Sequence, residues 1–437
     1  MRLSIASCMA LGIIGAVGVR AADLNGEVGI GAIYTDNIRL TSTDTTGDTI
    51  GVASTDFVVR ELTRLLDINV AANLEYLTYE HDIYSNELFG DLTGTGRIAL
   101  VPGRLEWIVQ DNFGQQQITP GEPVTPLNLE NINFLSTGPE LNVPLGAQLH
   151  AQLSARYSLV SYQIDDLNNN RVDGSAALVH PLSPTSNVSV NAGAERVSYD
   201  DSADNPDFTT RQAYLHYDGQ GARTKLDVDI GYAAATILNA TTGALLVHAT
   251  LTRALSTSTS LELSAGQDIS DAGNLLRQLQ GTGNVTLSPS AVQQSDDPFT
   301  SRYASAKWGF ESHRTAFGLA VSDYKEIHTE ESEFDRTRTE IDAYGKRNLY
   351  QTLVLTVGAS YARETYFKSV TPNDTYLRGT ADLAWRLGRR VEMHMQYSRV
   401  DYKSDSLLDR YNENRFMLTA GVATENWRGF VPSNPVY

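Results

Sequence analysis

AQLHAQLSARYSLVSY, residues 147–162, splits by parity into two unlike sets. Ala147, Leu149, Ala151, Leu153, Ala155, Tyr157 and Leu159 fall on one parity. Gln148, His150, Gln152, Ser154, Arg156 and Ser158 fall on the other. Successive side chains of a β-strand point to opposite faces, so the stretch has one apolar face and one polar face. It is also long for a soluble strand, which usually runs about five or six residues. An apolar face of that length needs a partner, and the rest of the chain indicates lipid.

The same alternation recurs on both sides. Leu66, Ile68, Val70, Ala72, Leu74 and Tyr76 oppose Asp67, Asn69, Asn73 and Glu75. Leu226, Val228, Ile230 and Tyr232 alternate with charged neighbours. Pro102-Gly103-Arg104, Pro144-Leu145-Gly146 and Gly388-Arg389 read as tight turns. The connections between them are longer and acidic. Such segments sum to about 20 strands, with 18 to 20 as the range, short turns on one side and long loops on the other. Pro139, inside an otherwise regular segment, predicts a bulge or a broken strand. The longest insertion, about residues 271–298, either folds into the barrel or projects from it.

Alternation alone also fits a large secreted sandwich or solenoid. Three features favour a closed antiparallel transmembrane β-barrel. The segments reach the about 9 to 11 tilted residues that cross a bilayer. Trp107, Trp308, Trp385, Tyr361, Tyr366, Tyr397 and Tyr402 sit toward strand ends, as interfacial girdles do. Charges occupy mid-strand positions on the polar parity, at Asp227, Asp229, Arg378 and Asp382. In lipid every backbone donor and acceptor must be paired internally, so such a sheet has to close.

The fold class is therefore all-β, and the expected domains are a secretory signal at 1–21 and an outer-membrane barrel at 22–437. Arg2 supplies the positive start of that signal, and residues 3–19 its apolar core. The only cysteine, Cys8, lies within it, so the exported chain is expected to carry none. Export without disulfides suits the Gram-negative envelope, and the expected location is the bacterial cell outer membrane. The net charge of −18 argues against nucleic acid as a partner, because phosphate binding needs basic patches. Outer-membrane lipids and lipopolysaccharide are the expected surroundings.

Chemistry is sparse. His150 and Ser154 share a face but lie four residues apart, too far for a direct bond at about 3.3 Å per residue. The histidines show no metal-ligand spacing. Asp200, Asp201 and Asp204, and Glu330, Glu331 and Glu333, are acidic loop clusters without a calcium-loop pattern. No catalytic residue, cofactor or metal ligand is assigned, and the chain reads as a non-enzyme. The expected lumen-lining residues are Asp67, Glu75, His150, Arg156, Asp227, Asp229, Arg378, Asp382 and Glu392. With Glu262 and Asp268 set against Lys225, Lys307 and Arg386, the acidic excess predicts a mildly cation-preferring or neutral-solute lumen.

Three further stretches stand out together: Tyr34-Thr35-Asp36-Asn37-Ile38-Arg39-Leu40, Asp111-Asn112-Phe113-Gly114-Gln115, and Asn131-Ile132-Asn133 leading to Gly138-Pro139-Glu140. They resemble the porin-like outer-membrane β-barrel proteins encoded with exopolysaccharide biosynthesis and PEP-CTERM/exosortase systems. The resemblance implies a barrel serving polysaccharide production or export, with exopolysaccharide and its export machinery as partners. It transfers no catalytic residue. A non-conducting structural or assembly barrel is the second expectation, and an enzyme acting on lipid or polysaccharide the third. Asp36-Asn37 also suits a strand-end turn, where short polar side chains cap the backbone.

Overall fold

A computed structural model describes residues 23–119, 122–238, 240–274, 297–329, 332–367, 373–405 and 410–424. The expected signal and the Glu330–Glu331 part of one acidic cluster lie outside them. The strands are β1 (Asp23–Thr35), β2 (Asp48–Leu62), β3 (Leu66–Tyr79), β4 (Glu87–Val101) and β5 (Leu105–Gln117). Then follow β6 (Leu129–Pro144), β7 (His150–Tyr162), β8 (Asn169–Ser183), β9 (Ser186–Tyr199) and β10 (Phe208–Gln220). Next are β11 (Thr224–Ile237), β12 (Ala240–Ala254), β13 (Thr259–Ser270), β14 (Phe299–Glu311) and β15 (Thr315–His328). The last are β16 (Arg336–Tyr350), β17 (Leu353–Tyr366), β18 (Asp374–Leu387), β19 (Val391–Ser404) and β20 (Tyr411–Ala423).

Each strand pairs antiparallel with its sequence neighbours, and β1 pairs with β20 from Glu27↔Ala423 to Thr35↔Arg415. The sheet is a closed twenty-stranded barrel, and closure leaves no edge to pair with another chain. No helix among the described residues is long and apolar enough to cross a membrane.

The register carries one parity continuously round the wall. On one face Leu24, Val28, Ile30, Leu215, Ile230, Leu319, Leu377 and Leu418 are exposed. The other face is the inside. Asp271, just past β13, reaches Arg171 of β8, and a path through the barrel makes that possible. Trp107, Trp308 and Trp385 are exposed on the outer face near the short-turn end, and Tyr361 and Tyr397 on the outer face of the other half. Tyr366 and Tyr402, expected in the girdle, are instead buried on the inner parity, paired in register with Arg336 and Tyr376. Their positions near strand ends were read correctly, but not their face.

Three more expectations change. The strand within 147–162 begins at His150, because Ala147, Gln148 and Leu149 complete the turn that starts at Gly146, whose φ is +158°. The β11–β12 connection is as tight as a short-side turn although it lies at the long-loop end. At Pro139 there is neither the expected bulge nor a broken strand: β6 runs on in unchanged register, the β6–β7 pairing only lapsing between Thr137↔Tyr157 and Glu140↔Ser154, while the β5 side continues through Trp107↔Pro139. Proline lacks the N–H for one ladder, and Arg156 Nη1 fills the gap by donating to the Pro139 carbonyl at 2.6 Å.

Candidate functional site: the inner wall and its mouth

All nine expected lining residues lie on the inner parity, but they do not form one site. Asp67 and His150 sit at the short-turn end of β3 and β7, Asp67 opposite Arg97 in register. Arg156 bridges β7 to Glu140 of β6 at 3.2 Å. Arg378 stands in β18 opposite Ser360 and Val400. Asp382 and Glu392 come together around the buried His394, at 3.2 and 3.7 Å, and Arg386 holds Glu392 at 3.2 Å. Glu75 and Glu392 are on the inner face yet buried beneath their neighbours. Asp227 and Asp229 lie side by side on β11. Ser154, half of the tempting pair with His150, bonds the Ser175 hydroxyl at 2.6 Å instead.

At the long-loop end the inner face turns apolar, contrary to the expectation of a polar wall throughout. Ile33, Ile50, Val52, Leu77, Tyr79, Phe89 and Met417 pack with Ile38 and Tyr84 from the first two long loops. Ile132, Phe134, Val160, Tyr162, Val197, Tyr199, Phe208 and Ile237 form a second inner cluster with Leu167. Here the loops cover the inner face, so both faces of each strand exclude water and the alternation ends. The Tyr84 hydroxyl donates to the Ile38 carbonyl at 3.2 Å, tying two of these loops together.

Buried ion pairs reinforce this collar. Arg336 on β16 sits between Glu326 of β15 and Glu364 of β17. Arg171 of β8 meets Asp271 at 2.6 Å and Glu195 of β9 at 3.8 Å. Asn274 donates to Glu195 at 2.8 Å. The root of the longest loop therefore folds inward, one of the two courses open to it. Burial by itself would raise the Asp271 carboxyl. The Arg171 guanidinium and the Asn274 donors outweigh that and hold it below the usual carboxylate range.

The stretches that carried the resemblance have structural work in the wall. Asp36 accepts from Asn414 N at 2.8 Å and from Asn414 Nδ2 at 2.7 Å, and Asn37 Nδ2 donates to the Asn412 carbonyl at 3.0 Å. Thr35 donates to Glu413 at 2.6 Å. These groups clasp β1 to β20. Gln115 bonds both backbone groups of Gly90, at 3.1 and 3.0 Å, just above the last β4–β5 pair, Leu92↔Phe113. Its side-chain amide replaces the missing ladder where Gly90 takes φ +136°, a conformation that favours glycine.

One grouping was invisible in the sequence. His216 of β10 and His248 of β12 both point at Asp229 of β11, at 2.8 and 3.4 Å. The three lie on separate strands, and only the register joins them. The available signal was the parity: each stands on the polar face of an alternating strand.

Residues 303–424 match the model of the family described as "Putative beta-barrel porin 2". No curated protein matches the chain. Among solved structures, a double mutant of the ferric enterobactin receptor PfeA from Pseudomonas aeruginosa is similar at 10% identity, covering 92% of this chain and 81% of that one, with a TM-score of 0.51. The siderophore receptor PirA from Pseudomonas aeruginosa is similar at 11% identity, over 92% of this chain and 80% of that one, with a TM-score of 0.48. At such identities the likeness is one of fold. Residues 303–424, running from within β14 to just past β20, are porin-like in sequence, and the whole wall is a large closed barrel.

Proposed function

We propose that this protein is a non-catalytic outer-membrane channel of porin-like type that serves the passage or guidance of exopolysaccharide. One observation carries the reading: an outer apolar face, with exposed tryptophans near one end, surrounds an inner face bearing charges of both signs on successive strands. Outer lipid and inner water are the two surroundings that satisfy those faces. Charge on the inner wall sets selectivity, and the excess of carboxylates favours cations and neutral solutes. The resemblance of Tyr34–Leu40 and the two following stretches supports polysaccharide as the cargo, and lipopolysaccharide is the expected outer contact.

The apolar collar and its buried ion pairs favour a second reading, a barrel whose mouth is shut and whose role is structural. Planar-bilayer recording in a potassium chloride gradient separates the two. Stepwise conductance with a cation-signed reversal potential supports the channel, and absence of conductance overturns it. Liposomes loaded with a neutral glucan or an acidic alginate test the cargo. Retention of both polymers by conducting liposomes removes the polysaccharide reading and leaves the channel.

A further inference from the structure

Along the inner wall of β10 to β13, carboxylates and imidazoles alternate in one row: Asp218, His216, Asp229, His248, Asp268. His216 Nδ1 lies 2.8 Å from Asp229 Oδ1, and His248 Nδ1 lies 3.4 Å from Asp229 Oδ2. The opposite nitrogens face the outer carboxylates, His216 Nε2 at 3.7 Å from Asp218 and His248 Nε2 at 3.7 Å from Asp268. Asp227 stands beside them, and His216, Asp227 and Asp229 each offer a ligand atom within 4.8 Å of the others.

Two features distinguish this row from an ordinary hydrogen-bonded histidine pair. The first is charge. Four carboxylates face two imidazoles, and Lys225, at the short-turn end, is the one Lys or Arg on the inner parity of β10–β13 among the described residues. Glu262 of β13 already has Lys307 at 3.4 Å. The cluster at His394, by contrast, includes Arg386. The second feature is a further carboxylate behind each imidazole, at 3.7 Å, a charge contact a little longer than a hydrogen bond. Histidines that ligate a metal usually have such a partner on the far nitrogen, which fixes the ring and its tautomer. The Tyr303 ring also stacks on His248, with centroids 6.3 Å apart and planes at 24°. It lies over Gly266, where a Cβ would meet the ring at 2.6 Å.

The spacing suits coordination. Metal–ligand bonds of about 2.0–2.2 Å set neighbouring donor atoms about 3.0–3.5 Å apart, and the His216–Asp229 separation of 2.8 Å falls close to that range. We propose that this row is a divalent transition-metal site. His216 gives the nitrogen and Asp227 and Asp229 give the oxygens, while His248 stands 3.4 Å from the other Asp229 oxygen and Asp218 and Asp268 add negative charge 3.7 Å behind the imidazoles. An imidazole with two carboxylates favours zinc and its neighbours over calcium and magnesium, which prefer all-oxygen sets. The site gives the inner wall a place where a metal ion binds, a property separate from passage through the barrel.

Zinc titrated calorimetrically into the untagged barrel in detergent tests this, with cobalt(II) absorption reporting the donor set. One zinc per barrel is expected, and a cobalt d–d band. Affinity should fall at least tenfold in His216→Gln and in Asp227→Asn and be unchanged in His180→Gln, on the outer face. Asp229→Asn checks the third ligand should either variant fail to fold. Heat-modifiable gel mobility confirms that each variant is a barrel. Absence of zinc binding, affinity equal to that of the unchanged protein in the folded His216→Gln and Asp227→Asn proteins, or preference for calcium overturns the site. Conductance enters none of these readings.

Discussion

Asp36 and Asn414, from opposite ends of the described chain, meet through two side-chain hydrogen bonds of 2.8 and 2.7 Å. The Asp36 N–H also donates to the Asn414 carbonyl at 3.2 Å. This clasp stands at the long-loop end of the seam that closes the barrel. Closure brings together the two strands farthest apart in sequence, so it carries the largest loop-closure cost of any pairing. Asp36→Ala removes two hydrogen bonds to a charged acceptor, each worth about 1.5–3 kcal/mol. The expected outcome is an earlier urea midpoint in lipid, with hydrogen exchange increasing first in β1 and β20. Uniform exchange across all strands would show that the seam is not the weak point.

Arg171 and Asp271 tie the longest loop into the mouth. Removing one member of a buried ion pair leaves an uncompensated charge and costs about 3–5 kcal/mol. Arg171→Gln should lower thermal stability by an amount in that range. Arg171→Met combined with Asp271→Leu should recover much of it, because the double change leaves fewer buried charges. Proteolysis near residue 274 should rise in the single variant and fall back in the double one.

The two loop contacts respond to pH in opposite directions. The carboxyl of Asp271 is held below its ordinary value, so its contribution is present above about 3.9 and disappears as pH falls through the lower folded value. Anchorage of the loop should therefore survive to below pH about 4. His81 is different. Its hydrogen bond and charge contact with Asp48, at 2.7 Å, raise the imidazole above 6.5. That contribution is complete below 6.5 and is lost as pH rises through the raised value. His81 is exposed, so solvent screens the effect. Imidazole NMR titration should give a midpoint above 6.5, falling back toward it in Asp48→Asn. Proteolysis near residue 274 followed against pH should show release only on the acid side.

The outer face can be tested at Ile230, which is exposed near the middle of β11. Arginine at a lipid-facing midplane position costs about 2–4 kcal/mol. Ile230→Arg should lose that much stability in lipid. Ser305→Arg, at a similar depth on the inner face of β14, should stay within about 1 kcal/mol and shift the reversal potential instead. Equal losses would mean that the two faces are not lipid and water.

Strand parity, the places of most of the turns and the approximate strand number were legible in the chain. Alternation is a local property, because each residue's side chain points opposite to the next. Leu153 and Leu159 could thus be assigned to one face, and His150, Ser154 and Arg156 to the other, from residues 147–162 alone. What meets across strands was not legible, because pairing adds up registers over hairpins and loops whose lengths vary. The tertiary structure set His216 and His248 on either side of Asp229, folded Asp271 back to Arg171, and turned Tyr366 and Tyr402 inward into the mouth. Alternation likewise failed where loops covered the inner wall at Ile33, Ile50 and Phe134, since a face hidden from both water and lipid no longer needs to be polar. Asp36 and Gln115 were conspicuous as residue types, but only closure of the sheet showed what they bind.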